Sequence, residues 1–281
     1  MGKAMRLTIP PFGRWEALRI VLKKLSHSKE LAILWENTYL IGGTALSLQV
    51  RHRLSYDLDL AWIGTDRLPW RGLVSVLEKV FKDFGIEAQR FYREDIDRDL
   101  LMAGIYPEEQ YLFWMLRPRE IPETVKFEVW IPDSQQFKQV LLEQRKEARY
   151  GLVRLASAET IFRLKTLLLP RRRTWRDLFD LWWLVRSEKY PKLTYQEIIR
   201  TLRSYYSDAT VDSVLLRLRN LRLEHLGDQG FCLVDGTAPD WARLFETVKQ
   251  DLLTGLTQVW LEEAKRIKPL PMSPSGTTPE I

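Results

Sequence analysis

Two differently organised parts of the chain are predicted from its apolar positions. In the first half, segments with helical apolar spacing alternate with short runs of alternating apolar and polar residues. Helices are predicted at residues 14–25, 29–36, 44–51 and 69–84, and strands at 39–41, 58–63, 86–92, 110–117 and 125–131. The segment 94–106 fits neither pattern. We therefore expect a small α/β domain that ends near residue 150.

The second half has helical spacing only. One helix is predicted over residues 157–169, where Pro170 stops it. Further helices are predicted at residues 174–187, 194–206, 210–223 and 239–266, with a loop or short hairpin before the last of them. The Pro/Ser/Thr-rich tail is expected to be disordered. The chain is thus predicted to be an α+β protein with an α/β domain (1–150), a helical domain (151–268) and a tail (269–281).

Composition excludes several classes of protein. The chain has 281 residues, of which 45% are hydrophobic, so a substantial core is expected. No apolar run reaches the roughly 18 residues of a membrane helix, and the start lacks the apolar centre of a signal peptide. With Cys232 as its one cysteine, the chain is expected to be cytoplasmic and free of membrane contact. Its three His and one Cys lack zinc-site spacing, so any metal site must use carboxylates.

The segment LIGGTALSLQVRHRLSYDLDL, residues 40–60, carries the strongest chemical signal. Asp57 and Asp59 are separated by one apolar residue, so in a strand both point to the same face. Neighbouring carboxylates repel each other unless a cation lies between them, and hard divalent cations prefer such oxygen ligands. The alternative is a pair of solvated acids neutralised by Arg51 or Arg53.

A Gly-Gly turn precedes these acids by 13 residues or more. Gly42 and Gly43 follow an apolar run and open a predicted helix, where backbone N–H groups can bind a phosphate. The Thr44 hydroxyl can cap that helix or contact a phosphate. The alternative is that the glycines only permit a tight strand-to-helix turn.

A third carboxylate is expected on a neighbouring strand. Residues 125–130 alternate with period two, so that Lys126, Glu128 and Trp130 share one face. Glu128 is the candidate third metal ligand. Its alternative role is a surface salt bridge.

The Gly-Gly turn, helix and acid-x-acid strand resemble the nucleotidyltransferase superfamily, which has a polymerase-beta-like fold. In its longer form, GGTALSL…RLSYDLDL, the block resembles the AbiEii/AbiGii toxin family of bacterial toxin–antitoxin and phage-defence systems. A second block, KTLLLPRRRTWRDLFDLWWL at residues 165–184, resembles that family's downstream motif: a Lys on a helix, then Arg, then R/K-D-x-x-D-L. The resemblance covers roughly residues 15–190.

The resemblance implies a role for each matching residue. It implies catalytic roles for Asp57, Asp59, Lys165 and Asp177, with support from Asp180. It implies metal binding by Asp57, Asp59 and Glu128. It implies nucleotide binding by Gly42, Gly43, Thr44, Arg53 and Ser55. Three alternatives stay open. Ser55 could only orient the start of the strand, Lys165 could extend to the surface, and Asp177 could form a capping box with Thr174. His52 is expected to be a surface residue.

The net charge of +6 is concentrated beside the second block. Residues 138–176 hold 11 Lys or Arg against three Glu, a local charge of +8. Arg171, Arg172 and Arg173 are consecutive, so helical i,i+4 pairing cannot neutralise all of them. Such a segment is typical of a surface that binds an RNA backbone. The alternative is a solvated helix face.

The implied reaction moves a nucleotidyl group from a nucleoside triphosphate (NTP) to a hydroxyl group with Mg²⁺ or Mn²⁺. Characterised relatives add nucleotides to the 3′ end of tRNA, which blocks translation, and a cognate antitoxin restrains them. Two alternatives remain. The acceptor could be a protein hydroxyl or a cationic small molecule, although the local charge of +8 favours an anionic one. A non-catalytic nucleotide- or partner-binding protein of this fold would fit better if the acids were lost, and they are intact.

Overall fold

A seven-stranded sheet forms the first part of the molecule. The computed structural model describes residues 12–92, 94–144, 148–171, 174–226, 233 and 239–266. The strands are β1 Thr38–Leu40, β2 Asp57–Trp62, β3 Ile86–Phe91, β4 Tyr111–Pro118, β5 Val125–Trp130, β6 Ala148–Tyr150 and β7 Val153–Leu155. The tail expected to be disordered lies outside the described residues, as does most of the loop or hairpin before the last helix.

The sheet is mixed, with the strand order β3-β4-β5-β2-β1-β7-β6. β2 pairs with β5 in parallel near the centre, and β1 pairs with β7 in parallel. The other neighbouring pairs are antiparallel. The two strands that carry the predicted metal ligands are therefore direct neighbours and run in the same direction.

Helices pack on this sheet and form most of the rest of the described chain. They are α1 Phe12–Leu25, α2 Ala32–Asn37, α3 Gly42–Val50, α4 Trp70–Asp83, α5 Glu94–Met102, α6 Gln135–Leu142, α7 Ala158–Leu168, α8 Trp175–Arg186, α9 Tyr195–Tyr205, α10 Asp208–Asn220 and α11 Trp241–Arg266. Local chemistry fixes several ends. The Ser157 hydroxyl accepts a hydrogen bond from the Thr160 N–H at 3.1 Å and so caps α7, and Pro170 lies just beyond its end.

One hydrophobic core runs through both parts of the molecule. On one side α1 packs against β2, β4 and β5, and elsewhere α3 packs against both β2 and α7. The helical part therefore joins the sheet through α3 and α7. The α+β fold with a helical C-terminal part is confirmed. The sheet continues past the predicted end of the α/β domain, because β7 pairs with β1.

No helix in the part of the chain that the structure describes is long and apolar enough to cross a membrane.

Candidate active site

The predicted acids lie side by side on β2 and β5. In the parallel register Asp59 is opposite Glu128, and Asp57 is opposite Lys126. Leu58 is buried while both aspartates of β2 are half-buried, as the alternation predicts. Neighbouring strands lie about 4.8 Å apart, so these carboxylates are close enough to share one cation.

Lys126 lies between the carboxylates. Its Nζ is 2.8 Å from Glu128 Oε2 and 3.3 Å from Asp59 Oδ1. Burial lowers the pKa of this ammonium, but the Asp59 and Glu128 carboxylates outweigh burial and raise the net pKa above its usual value. The sequence pattern placed Lys126 on the acid face but gave it no role. The cation that contacts these acids is thus Lys126. The alternative of solvated acids had assigned that neutralising role to Arg51 or Arg53.

The Gly-Gly turn lies against the acid face. Gly42 has a φ of +70°, and a Cβ built on it would lie 3.3 Å from Asp59 Oδ2. A Cβ on Gly43 would lie 2.6 Å from Arg53 Nη2 and 2.8 Å from Ser55 Oγ. Gly42 is therefore needed for its left-handed backbone, and Gly43 for the close approach of two polar side chains. Phosphates bound at this turn would lie next to the Asp59 carboxylate.

Thr44 and Ser55 are buried near the start of α3. The Thr44 hydroxyl donates a 2.5 Å hydrogen bond to the Asp57 carbonyl. It therefore ties α3 to β2, and no side chain caps α3 at its first turn. Ser55 places its hydroxyl against Gly43. Phosphate binding by these residues stays a prediction.

Asp180 is fully buried at the centre of a charged cluster. Arg53 binds it with two hydrogen bonds, from Nε at 2.6 Å and from Nη2 at 2.7 Å. His52 Nε2 donates to the same carboxylate at 2.6 Å, and Lys165 Nζ lies 3.0 Å from it. Burial raises the pKa of Asp180, but the charges of Arg53 and Lys165, together with the contact from His52, outweigh burial and hold that pKa well below its usual value.

Two expectations change at this cluster. His52 was expected on the surface, and that expectation is wrong: its side chain is fully buried. Its carboxylate partner on α8 was not apparent from the basic residues around it in sequence. Arg53 was predicted to bind nucleotide. Its guanidinium is buried against Asp180, and nucleotide binding by Arg53 stays a prediction.

Lys165 and Asp177 form an ion pair at the edge of this cluster. Lys165 is only 5% exposed, so it does not extend to the surface. The Thr174 hydroxyl donates to the Asp177 carboxylate and does not cap α8 with its own oxygen. The Thr174 half of a capping box is therefore absent, and the Asp177 carboxylate contacts Lys165.

Asp59, Glu128 and the Lys165–Asp177 pair line one cavity of about 660 Å³, whereas Asp57 is not among its lining residues. Its charged lining residues are Asp59, Lys126, Glu128, Asp133, Lys165 and Asp177, and the turn residue Gly42 lies among them. Its apolar lining includes Trp130, Ile131, Phe137, Ile161, Leu164 and Leu168. Pockets of this size accommodate small ligands, and the two kinds of lining suit a molecule with one charged end and one flat apolar end.

The carboxylates fit a magnesium-type cation bound together with substrate. Among the described residues there is no group of three or more His, Cys, Asp or Glu arranged to hold a metal by itself. Mg²⁺ is usually bound by one or two carboxylates, and water and substrate phosphates complete its coordination. Asp59 and Glu128 supply such a pair.

Much of the basic segment 138–176 is already paired within the fold. Lys138 contacts Asp66 at 2.6 Å, and Arg163 contacts Glu143 at 3.0 Å. Arg171 is exposed just after α7, whereas Arg172 and Arg173 lie outside the described residues. The free positive surface is therefore smaller than the sequence count of charges indicates.

Comparison with known proteins identifies the family. Residues 25–265 match the family model described as "Nucleotidyl transferase AbiEii toxin, Type IV TA system". The chain is 24% identical over 184 residues to the uncharacterized protein aq_aa25 of Aquifex aeolicus (strain VF5), covering 61% of this chain and 74% of that protein.

Solved structures that are similar to this chain include two nucleotidyltransferase-type proteins. A putative nucleotidyltransferase from H. pylori aligns with 87% of this chain and 97% of its own, at 19% identity and a TM-score of 0.43. The nucleotidyltransferase toxin MenT4 from Mycobacterium tuberculosis H37Rv aligns with 90% of this chain and 91% of its own, at 17% identity and a TM-score of 0.41. The residues that match the family model span most of the chain. This chain therefore belongs to the AbiEii family of nucleotidyltransferase toxins.

Proposed function

We propose that this protein transfers a nucleotidyl group from an NTP to a hydroxyl of RNA, namely the 3′ end of tRNA, with Mg²⁺ or Mn²⁺ as cofactor. The observation that carries the proposal is the meeting of two groups of residues in one cavity. Asp59 and Glu128 come from the sheet, and Lys165 and Asp177 come from the helical part. Nucleotidyl transfer needs both metal-binding acids and a cation for the triphosphate.

In this proposal, different lining residues of the cavity bind different parts of the nucleotide. The N–H groups of the Gly42–Gly43 turn and the Lys165 ammonium would bind the triphosphate. Apolar lining residues, among them Trp130 and Leu164, would hold the nucleobase. Asp59 and Glu128 would hold the divalent cation, with Asp57 beside them on β2 as a further proposed ligand, and the cation would neutralise charge on the reacting phosphates.

In the proposed step the acceptor hydroxyl oxygen forms a bond to the α-phosphorus. The bond from that phosphorus to the bridging oxygen breaks, and pyrophosphate leaves with that electron pair. Asp177 is the proposed acceptor of the hydroxyl proton, since its carboxylate lines the cavity and is 12% exposed. Asp180 is fully buried, so its proposed role is to hold Lys165 in place.

An RNA acceptor is supported by positive charge near the end of α7. Arg171 is exposed there, and Arg217 of α10 donates a hydrogen bond to the neighbouring Pro170 carbonyl. Arginines on such a surface can bind the phosphates of a nucleic acid, and phosphate contacts position the nucleic acid without reading its sequence. As in the type IV system of its family, a cognate antitoxin is the proposed partner that restrains the activity.

One reaction tests the proposal. The purified protein and Mg²⁺ are incubated with total bacterial tRNA and each labelled NTP in turn, beside the Asp57→Ala/Asp59→Ala variant. We expect label on tRNA with the native protein and a loss of at least about 10²-fold in the variant. Label on the protein instead would move the acceptor to a polypeptide. Nucleotide binding without any labelled product would favour a binding protein.

A further inference from the structure

Lys126 contacts the oxygens that the proposed function assigns to a divalent cation. Its Nζ is 2.8 Å from Glu128 Oε2 and 3.3 Å from Asp59 Oδ1, and its side chain is 33% exposed at the edge of the cavity. The parallel register puts Lys126 opposite Asp57 as well, so all three acids surround its strand position. Such a lysine already neutralises part of the repulsion between neighbouring carboxylates.

An ammonium and a divalent cation cannot share these oxygens closely. Both carry positive charge, and their repulsion is large when they are separated by only a few ångströms in a half-buried site. Therefore only one of the two cations can contact the Asp59 and Glu128 carboxylates at a time. Lysine can move, because its charge lies at the end of a flexible four-carbon chain with three donors.

We propose that Lys126 is an exchangeable counter-cation: it competes with the divalent metal for Asp59 and Glu128 and turns into the cavity, toward the triphosphate, when the metal binds. This inference rests on the proposed function. The cavity gives the lysine a destination, because Lys126 and Gly42 both line it and both lie next to Asp59. A triphosphate there would offer an anionic partner in place of the carboxylates. Metal and NTP would then bind more tightly together than separately.

The test measures metal binding directly, without catalysis. Mn²⁺ affinity is measured by calorimetry and by electron paramagnetic resonance on the full chain, first without nucleotide and then with a non-hydrolysable NTP analogue. We expect Lys126→Met to bind Mn²⁺ at least about tenfold more tightly than the native protein without nucleotide. We expect the analogue to strengthen Mn²⁺ binding more in the native protein than in Lys126→Met.

Two variants serve as matched controls. Lys126→Arg keeps the charge and should bind Mn²⁺ nearly as the native protein does. Lys79→Met removes a surface lysine that pairs with Glu30 at 3.0 Å, and it should leave Mn²⁺ affinity unchanged. The melting temperature of Lys126→Met should fall below the native value in a metal chelator and should recover when Mn²⁺ is added.

Unchanged or weaker Mn²⁺ binding by Lys126→Met, with native circular dichroism, would overturn the exchange. Should that variant not fold, Lys126→Gln provides the same comparison. Asp59→Asn separates the two proposals. If Asp59→Asn binds Mn²⁺ as tightly as the native protein, the proposed metal site itself is wrong. If it loses Mn²⁺ while the Lys126 variants change nothing, only the exchange is wrong.

Discussion

The burial and the contacts of His52 depend on residues that are distant from it in sequence. Its ring stacks on Phe179 with 5.9 Å between centroids, and its Nε2 contacts Asp180. Its Nδ1 is buried without a hydrogen-bond partner among the described residues. Burial lowers the pKa of His52, and the Arg53 and Lys165 charges add to that, although the Asp180 carboxylate acts in the opposite direction.

This lowered pKa predicts a loss of stability on acidification. The unfolded chain takes up a proton on His52 near pH 6.5, whereas the folded protein resists protonation to a lower pH. The stabilising contribution is complete above pH 6.5 and is lost as the pH falls through the folded pKa. We expect the urea midpoint to fall more between pH 7.5 and 5.5 in the native protein than in His52→Gln. Equal falls would show that His52 does not cause the loss.

Residue roles could be predicted where the pattern is local, and not where the partner is remote. The shared face of Asp57 and Asp59 follows from strand periodicity alone. Arg53 and Asp180 are 127 positions apart in sequence, so neither the burial of the Arg53–His52 pair nor its carboxylate partner is visible in the surrounding residues. Lys126 was placed on the correct face, but its contacts depend on the register between β2 and β5.

At the scale of elements, long periodic segments were predicted, and the elements that were missed are short ones, although β1, equally short, was predicted before the Gly-Gly turn. The helices α1, α4, α7 and α8 and the strands β2 to β5 lie close to their predicted ranges. β6 and β7 have three residues each, too few for a period to be recognised. α6 was also missed, although Ser134 caps it by accepting a hydrogen bond from the Phe137 N–H at 3.1 Å.

The turn into α3 provides a prediction at this scale. Gly42→Ala should lower the free energy of unfolding by about 1–2 kcal/mol, because L-residues avoid the left-handed backbone found there. The added Cβ would also press on Asp59, so transferase activity should fall. Urea unfolding followed by circular dichroism measures the first effect.

Gly72 in α4 is the matched control. A Cβ on Gly72 would meet no atom within 4 Å, so Gly72→Ala should stabilise the protein by about 0.5–1 kcal/mol. Equal effects of the two substitutions on the free energy of unfolding would show that the left-handed backbone at Gly42 does not require glycine.

At the scale of the whole molecule, Asp180 joins the two parts of the chain. It lies on α8, and it binds Arg53 and His52 from the connection between α3 and β2. Lys165 of α7 shares the same carboxylate. The charged cluster and the common core together hold the helical part against the sheet, so the cavity between them depends on Asp180.

Removing this charge should therefore weaken the whole fold. Asp180→Asn removes the carboxylate that binds the buried Arg53 guanidinium and leaves Lys165 with Asp177 alone of its two acids, so we expect a loss of about 3–5 kcal/mol in the free energy of unfolding. Glu16→Gln breaks an exposed pair with Arg19 and should cost less than about 1 kcal/mol. Denaturant unfolding of both variants measures the difference. A small loss in Asp180→Asn would mean that the hydrophobic core alone joins the parts.

The separation of the acid face of β2 from its core face has an evolutionary consequence. Leu58 and Leu60 hold the strand in the core, whereas Asp57 and Asp59 take no part in it. Under the proposed function, a lineage selected against this activity would lose the chemistry by one substitution at these acids and still inherit a well-folded protein. Silenced descendants of such toxins would be recognised by their missing acids, while their overall shape would remain that of active enzymes.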